Sequence, residues 1–214
     1  MTSITLFYAP GACSLAPHIA LEEARHPFEP RSIDTKGGEQ NRPDYLRINP
    51  KGRVPALVVD DWVLTENPAI LQFIARRFPE ANLWPDDLQE QARAAEWLAW
   101  LASTVHVAYA HMRRTARYAT SEDAQADVRA KGLETARRLW LDIEDKLGKG
   151  EWAVGDRYTV VDAYLMVFWM WGRGDALAFD MAKDCPAWTA QARRVATRPA
   201  VQRAFAREKL DPPA

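Results

Sequence analysis

The sequence predicts an α/β domain followed by an all-α domain, and the uneven use of two residue types supports this. Nine of the 14 prolines lie within residues 1–80, none lies between Pro85 and Pro186, and eight of the nine tryptophans follow residue 80. Proline inside a helix costs about 3 kcal/mol, so the long proline-free stretch suits helices and the first 80 residues suit short elements and turns. We therefore predict two domains, 1–80 and 87–214, joined by the polar stretch 79–87.

Strand and helix patterns alternate within the first domain. The predicted strands are short runs of β-branched, aromatic and apolar residues at 3–8, 28–33, 55–59 and 62–65. The predicted helices carry apolar residues at helical spacing over 14–24, 44–48 and 65–78. Pro30 suits an edge strand, because it has no N–H for a ladder hydrogen bond. The predicted order is β-α-β-α-β-β-α, an α/β sandwich with parallel and antiparallel strand pairs.

The second domain is predicted to be helical throughout. Apolar residues recur every three or four positions over 88–112 and 125–147. Thr159 and Asp162 form a capping box, with Asp at the usual Glu or Gln position, in front of the apolar run 163–171. Two further helices are predicted near 187–196 and 199–207.

Composition excludes several classes of protein. The formal net charge is −1, from 28 Lys and Arg against 29 Asp and Glu, so neither nucleic acid nor a membrane surface is expected as a partner. Two distant cysteines without a CxxC pair predict neither a disulfide framework nor a zinc site, and no metal is expected. The chain has no apolar run long enough to span a membrane, and its N-terminus lacks the pattern of a secretory signal. We expect a cytoplasmic protein.

Cys13 is the first candidate for chemistry. It lies where the first predicted strand turns into the first predicted helix, after Pro10 and Gly11. The free N–H groups and partial positive charge of a helix N-terminus favour a thiolate and can lower a thiol pKa to about 3.5–7.5. The alternative is a small buried hydrophobe, which is also the role expected of Cys185. The Ser14 hydroxyl could hydrogen-bond the thiolate or cap the helix.

Two further segments could hold a ligand. Val54 and Pro55 open a predicted strand, where a cis peptide would leave the Val54 backbone able to pair with a peptide-like ligand. Glu66 and Asn67 begin a predicted helix. They could cap that helix, or they could form a polar nest for the ammonium and carboxylate of an amino acid.

A histidine lies within the predicted helix 88–112, and a cluster of arginines follows that helix. A single helical histidine such as His106 usually has a structural role. Arg113, Arg114 and Arg117 form a basic cluster, which is either a solvated helix face or a clamp for an acidic substrate. The apolar run 166–171 fits a buried core better than a ligand pocket.

Taken together, these segments resemble one family, the bacterial beta-class glutathione transferases. Residues 8–14, YAPGACS, closely resemble the start of that class, and this cysteine-bearing motif is specific to it. The other similar segments are residues 49–52, 54–57, 65–66, 96–98 with 106, and 159–164. The resemblance spans essentially the whole chain in the same order.

The resemblance implies a thioredoxin-like first domain, an all-helical second domain and a homodimer. The implied substrates are glutathione, as a co-substrate rather than a cofactor, and a small hydrophobic electrophile. Cys13 would meet the glutathione sulfur and could hold it as a mixed disulfide, with Ser14 beside it and His106 approaching from the helical domain. The implied glutathione-binding residues are Tyr8, Lys36, Val54, a cis Pro55, Glu66 and Asn67. The electrophile pocket is expected near Tyr109, Met112, Tyr164 and Phe168.

Some positions depart from the family pattern. Asn67 stands where Gly or Ser is frequent, Val107 where Lys often follows the histidine, and Ala99 where an Asn often reaches across the dimer to glutathione. Lys36 is the nearest counterpart of the family's glutathione-binding lysine, so which lysine or arginine binds the glycyl carboxylate stays open.

Three functions are compatible with a site of this kind. The first is conjugation of glutathione to hydrophobic electrophiles. The second is glutathione-dependent reduction of disulfides, with Cys13 acting covalently. The third is a non-catalytic binding or regulatory role on the same fold. The presence of Cys13, Glu66 and His106 favours an enzyme.

Overall fold

The computed structural model describes residues 2–213, so residues 1 and 214, the outer ends of the predicted domains, lie outside it. A four-stranded sheet forms the first part of the chain. Its strands are β1 (Ile4–Tyr8), β2 (Glu29–Ser32), β3 (Ala56–Val59) and β4 (Trp62–Thr65). They lie in the order β2-β1-β3-β4, with β1 parallel to β2 and the other two pairs antiparallel. Pro30 therefore lies on an edge strand, as predicted.

Helices cover both faces of this sheet. Helices α1 (Leu15–Ala24) and α3 (Asn67–Arg77) pack on one face, and the short α2 (Pro43–Leu46) packs on the other. Successive side chains of a strand point to opposite faces, so Leu6 joins the core beneath α1 and α3 while Phe7 packs against Tyr45 of α2. The predicted order is confirmed, and the arrangement is thioredoxin-like.

The second part of the chain is mostly helical, as predicted. Its helices are α4 (Leu88–Trp100), α5 (His106–Arg113), α6 (Glu122–Leu147), α7 (Val160–Gly172), α8 (Met181–Asp184), α9 (Pro186–Ala196) and α10 (Pro199–Glu208). The predicted helix 88–112 is not one regular helix, because Leu101–Val105 form a π-helical segment between α4 and α5. Such wider turns occur frequently at functional sites.

The capping box before α7 forms as predicted and does more than cap. The Thr159 hydroxyl accepts a hydrogen bond from the Val161 N–H, and one Asp162 oxygen accepts the Thr159 N–H at 2.8 Å. The other Asp162 oxygen accepts the Ala153 N–H at 3.0 Å and the Gln191 side-chain amide at 2.9 Å. Asp162 is fully buried, so it joins the start of α7 to the preceding loop and to α9.

Helix α1 lies between the sheet and the helical part of the chain. It packs against α7 and α10, and three of its acidic or imidazole side chains pair with residues near the C-terminus. These pairs are Glu22 with Arg203, Glu23 with Arg198, and His18 with Glu208. The loop that follows β1, which carries Cys13, is therefore held against both parts of the chain.

Candidate active site

A cleft between the sheet and the helices brings most of the candidate residues together. Cys13, the cis peptide between Val54 and Pro55, and the Glu66–Asn67 segment line one side. Ala102, His106, Val107, Ala110, Arg117, Tyr118 and Tyr164 line the other side. Cys13, Val54, Pro55, Glu66, Asn67, His106 and Tyr164 were all predicted from the sequence, and they share one cavity although they are far apart in the chain.

The Cys13 thiol is largely buried in the lining of the cleft. Its Sγ donates a hydrogen bond to the Val54 carbonyl oxygen, at 3.5 Å, and its side chain is 9% exposed. Burial raises the pKa of the Cys13 thiol to about 11, against a smaller lowering by the Asn67 amide. The expected low pKa is therefore not found: α1 begins two residues later, at Leu15, and desolvation outweighs the helix terminus. Cys13 is a neutral hydrogen-bond donor at neutral pH.

Ser14 does not meet the Cys13 thiol. Its hydroxyl is fully buried, accepts the Ala9 N–H at 3.1 Å and donates to the Ala9 carbonyl at 3.2 Å. It makes no side-chain hydrogen bond to the first turn of α1, so it does not act as a capping side chain either. Both predicted interactions are absent, because the hydroxyl closes the loop that carries Cys13 and faces away from the cleft.

Two distant residues hold the same loop at Gly11. The Gly11 N–H donates to Glu208 Oε2 at 2.9 Å, and the Gly11 carbonyl accepts a hydrogen bond from Trp171 Nε1 at 2.9 Å. The other carboxyl oxygen of Glu208 lies 2.7 Å from His18 Nδ1, and both side chains are completely buried. Sequence reasoning missed this brace, which fixes the loop two residues before Cys13.

The segment that opens α3 has an unusual backbone. Glu66 has φ 72° and ψ 120°, a conformation that non-glycine residues rarely adopt and that costs on the order of 1–3 kcal/mol. Its carboxylate bonds to Lys51 Nζ at 2.7 Å, and Lys51 also donates to the Thr65 hydroxyl. Strained residues concentrate at binding and active sites, where the surrounding structure holds them.

Asn67 connects this segment to the cysteine loop. Its side-chain amide donates to the Cys13 carbonyl at 3.1 Å, while its buried Oδ1 has no hydrogen-bond partner among the described residues. Neither Glu66 nor Asn67 makes a side-chain capping bond to α3. The capping role considered for them is therefore excluded, and a ligand N–H is the missing partner that would fit Asn67.

His106 begins α5, directly after the π-helical segment. Its ring packs edge-on against Trp171 and Phe168, with centroids 5.1 and 6.1 Å away. Burial, followed by the positive charges of Arg53 and Arg117, lowers the pKa of His106 to about 4. His106 is therefore a neutral imidazole at neutral pH.

Tyr8 and Lys36 do not line the cleft. The Tyr8 ring packs against His18 with centroids 5.0 Å apart, on the side of α1 and α10, so its predicted contact with glutathione is not supported by its position. Lys36 is exposed in the loop before α2, and its backbone N–H bonds to Asp34.

Three residues of the expected electrophile pocket pack in or against the helical core instead. Tyr109 stacks on Trp171 with centroids 4.4 Å apart, Met112 is 3% exposed, and Phe168 is completely buried. Helix α5 is covered by α6, which buries the face that carries Tyr109 and Met112. Of the four predicted residues, only Tyr164 reaches the cleft.

Arginines supply the cations of this cleft. Arg53 precedes Val54 and Arg117 follows α5, and both line the cavity. Arg117 was predicted as part of a basic cluster that was either a solvated helix face or a clamp for an acidic substrate, and its position at the cleft favours the clamp. Arg53 was missed, although it lies within the motif that contains Val54 and Pro55.

Comparison with known proteins decides the family. Residues 2–76 match the model of the glutathione S-transferase N-terminal domain. The chain is 36% identical to the glutathione S-transferase GstA of Escherichia coli O157:H7 over 208 residues, which cover 96% of this chain and 98% of that protein. It belongs to the glutathione S-transferase family. A second family member, GST-4.5 of Xanthomonas campestris, is 38% identical over 78% of this chain and 81% of its own.

Solved structures of the family have the same fold over nearly the whole chain. A glutathione transferase homologue from Sulfitobacter, with bound glutathione, has a TM-score of 0.89 and 37% identity, covering 98% of this chain and all of its own. A bacterial beta-class glutathione S-transferase from Sphingomonas chungbukensis has a TM-score of 0.82 and 35% identity, covering 97% of this chain and all of its own. Within residues 2–213 no helix is long and apolar enough to cross a membrane.

Proposed function

We propose that this protein conjugates glutathione to electrophilic small molecules at the cleft described above. One observation supports this most strongly: the Cys13 thiol, the Val54 backbone, Glu66 and His106 all border one cavity. These are the residue types that a cysteine-containing tripeptide would require, namely a backbone to pair with, an acidic group for its ammonium and polar groups around its sulfur.

Glutathione would lie with its γ-glutamyl end at the start of α3. Glu66, fixed by Lys51, would receive the ammonium group, and the partial positive charge of the helix N-terminus would attract the neighbouring carboxylate. The buried and unpartnered Oδ1 of Asn67 would accept an N–H of the ligand. The cysteinyl residue of glutathione would then lie beside Val54, with its sulfur near Cys13.

The reactive thiolate would belong to glutathione. Cys13 is protonated at neutral pH, because burial raises the pKa of its thiol to about 11, and it can donate a hydrogen bond to the glutathione sulfur. The neutral His106 can donate one from the other side. Hydrogen bonds to the charged form lower its pKa, so glutathione would lose its proton to solvent and its thiolate would attack the electrophile.

Reduction of disulfides through Cys13 is the second candidate function. It is favoured by the position of Sγ on the cleft wall, where a glutathionyl group could form a mixed disulfide with it. The high pKa of the thiol works against it, because the thiolate is the attacking species. We therefore rank conjugation first, ahead of disulfide reduction and of a non-catalytic binding role. The division into domains 1–80 and 87–214, a homodimer and a cytoplasmic location are parts of the same proposal.

Two assays test the proposal: retention of the protein on immobilised glutathione, and conjugation of glutathione to chlorodinitrobenzene. Cys13→Ala removes one hydrogen bond to the sulfur and should lower kcat/KM about tenfold, since hydrogen bonds to charged groups contribute about 1.5–3 kcal/mol. Cys185→Ala is the matched control, because Cys185 is completely buried and lies outside the cleft. Failure to bind glutathione, together with failure to conjugate any of a broad panel of electrophiles, would refute the proposal.

If Cys13→Ala abolished disulfide reduction while conjugation persisted, the second activity would be assigned to Cys13. If reduction continued unchanged in this variant, the covalent mechanism would be wrong.

A further inference from the structure

The charges that face the cleft are unequal. Glu66 is the acidic residue that lines it, and its carboxylate is already paired with Lys51. Arg53 and Arg117 line the same cavity, and neither guanidinium has a hydrogen-bond or ion-pair partner among the hydrogen bonds and salt bridges of residues 2–213. With His106 neutral, the described part of the cleft carries an excess of positive charge.

The two guanidinium groups are close enough to act on each other and on the histidine. Partial burial, followed by the charges of Arg53 and Arg114, lowers the pKa of Arg117. The charges of Arg53 and Arg117 also contribute to the lowered pKa of His106. Unpaired like charges in one cleft are unfavourable in the free protein, and an anionic ligand would relieve this repulsion.

Glutathione has only one carboxylate left for these two cations. In the proposed arrangement its γ-glutamyl end lies at Glu66 and the start of α3. Its glycyl carboxylate then follows the cysteinyl residue past Val54, and Arg53 is the neighbour of Val54 in the chain. This leaves Arg117, which lies on the helical side with Val107, Ala110 and Tyr118, where the second substrate would enter.

We propose that Arg117 binds a carboxylate on the electrophile, so that the preferred second substrates are anionic and not simply hydrophobic. This inference rests on the proposed conjugation of glutathione. The guanidinium would form charge-assisted hydrogen bonds with the carboxylate, while the apolar surfaces of Val107 and Ala110 and the ring of Tyr118 contact the rest of the molecule.

The reaction itself is an aromatic substitution that balances without a co-reactant. With chloronitrobenzoate, the glutathione thiol releases its proton to solvent, its sulfur forms a bond to the ring carbon, and chloride leaves with the electrons of the broken carbon–chlorine bond. The carboxylate takes no part in this step and serves only for recognition.

The test compares chloronitrobenzoate with its neutral amide, chloronitrobenzamide, in the wild type and two variants. Each kcat/KM is divided by the uncatalysed rate constant of the same compound, which removes their difference in intrinsic reactivity. Arg117→Met should lower the value for the anion about tenfold or more, the effect expected of a lost charge-assisted bond, and leave the amide within about twofold. Arg113→Met is the matched control, because Arg113 is an exposed cation at the end of α5 that does not line the cleft.

The outcomes separate this inference from the function on which it rests. Equal effects of Arg117→Met on both compounds, or a raised KM for glutathione with little change in the KM for chloronitrobenzoate, would overturn the inference. Conjugation of the amide by the wild type would show that the proposed function still holds. Failure of the wild type to conjugate either compound or bind glutathione would instead overturn the proposed function.

Discussion

Replacing Glu208 with alanine should destabilise the protein strongly, although Glu208 is only a few residues from the C-terminus. One carboxyl oxygen lies 2.7 Å from His18 Nδ1 and the other accepts the Gly11 N–H at 2.9 Å. The side chains of Glu208 and His18 are completely buried, so water cannot replace the lost partner. Breaking such a buried pair costs about 3–5 kcal/mol, because the remaining polar groups are left without partners.

That loss of free energy corresponds to a clear change in thermal unfolding. For a chain of this length each kcal/mol shifts Tm by about 2–4 °C, so Glu208→Ala should lower Tm by about 6–20 °C. Glu208→Gln keeps an oxygen for the Gly11 N–H but loses the carboxylate, and a smaller loss of about 1–3 kcal/mol is expected. Circular dichroism during heating, with chemical unfolding as a second measure, provides the assay.

Glu134→Ala is the control for this prediction. Glu134 pairs with Lys131 at a similar distance, 2.8 Å, but both side chains are 69% exposed. An exposed pair of this kind contributes at most about 1 kcal/mol. If Glu208→Ala and Glu134→Ala unfolded within about a degree of each other, our account of the brace at Gly11 would be wrong.

Three further predictions concern other buried ionisable groups. In a Cys185→Ala background, Cys13 should react with iodoacetamide at pH 8 roughly a hundredfold more slowly than a free cysteine, because burial raises the pKa of its thiol to about 11. The reaction should accelerate as the pH rises towards 11, and a reaction at pH 8 as fast as that of a free cysteine would contradict the prediction by showing a thiolate. The pKa of His106 in the folded protein is lowered to about 4, so the free energy of unfolding of the wild type relative to His106→Asn should be largest above pH 6.5 and should fall as the pH drops through 4. Chemical unfolding at several pH values measures this difference, and a difference that does not change with pH would contradict the prediction. Asp162→Ala should lower the free energy of unfolding by about 3–5 kcal/mol in the same assay, because the substitution leaves the Ala153 and Thr159 N–H groups and the Gln191 amide without their partner. A loss below about 1 kcal/mol would contradict this prediction.

Local patterns were sufficient to predict most elements of the fold. The strand at 28–33, the adjacent strands at 55–59 and 62–65 and the capping box at Thr159 all depend on the chemistry of a few neighbouring residues. The cis peptide at Val54–Pro55 was different: residue type gave it low odds, and only the family resemblance implied it.

The electrophile pocket could not be predicted in the same way. Regular spacing places Tyr109 and Met112 on one helix face with Leu98, but it does not say which neighbour covers that face. The π-helical segment Leu101–Val105 lies between Leu98 and these two residues, and it changes the direction in which the following side chains point. As a result His106 lines the cleft, while Met112 lies in the core and Tyr109 packs against it.

Long-range contacts explain why other predicted site residues lie elsewhere than the sequence indicated. The partner of Ser14 is Ala9, which a sequence pattern alone does not reveal, and the Tyr8 ring packs against His18 because α1 and α10 meet there. Arg117 ends a single 3-10 turn, Thr115–Arg117, after α5, and a turn this short shows no periodicity from which the direction of its side chain could be predicted. The cation that family comparison would place at Val107 is absent, whereas Arg117 brings one to the same cleft.

The ultraviolet absorbance of the thiolate tests the central claim most directly, namely that the reactive thiolate belongs to glutathione held between Cys13 and His106. Adding glutathione to the wild type at neutral pH should produce this absorbance, with an apparent pKa below that of free glutathione. Cys13→Ala should still produce it, at a higher pKa, and S-methylglutathione should produce none. Absorbance that is present before glutathione is added and disappears in Cys13→Ala would assign the thiolate to Cys13 and contradict the account.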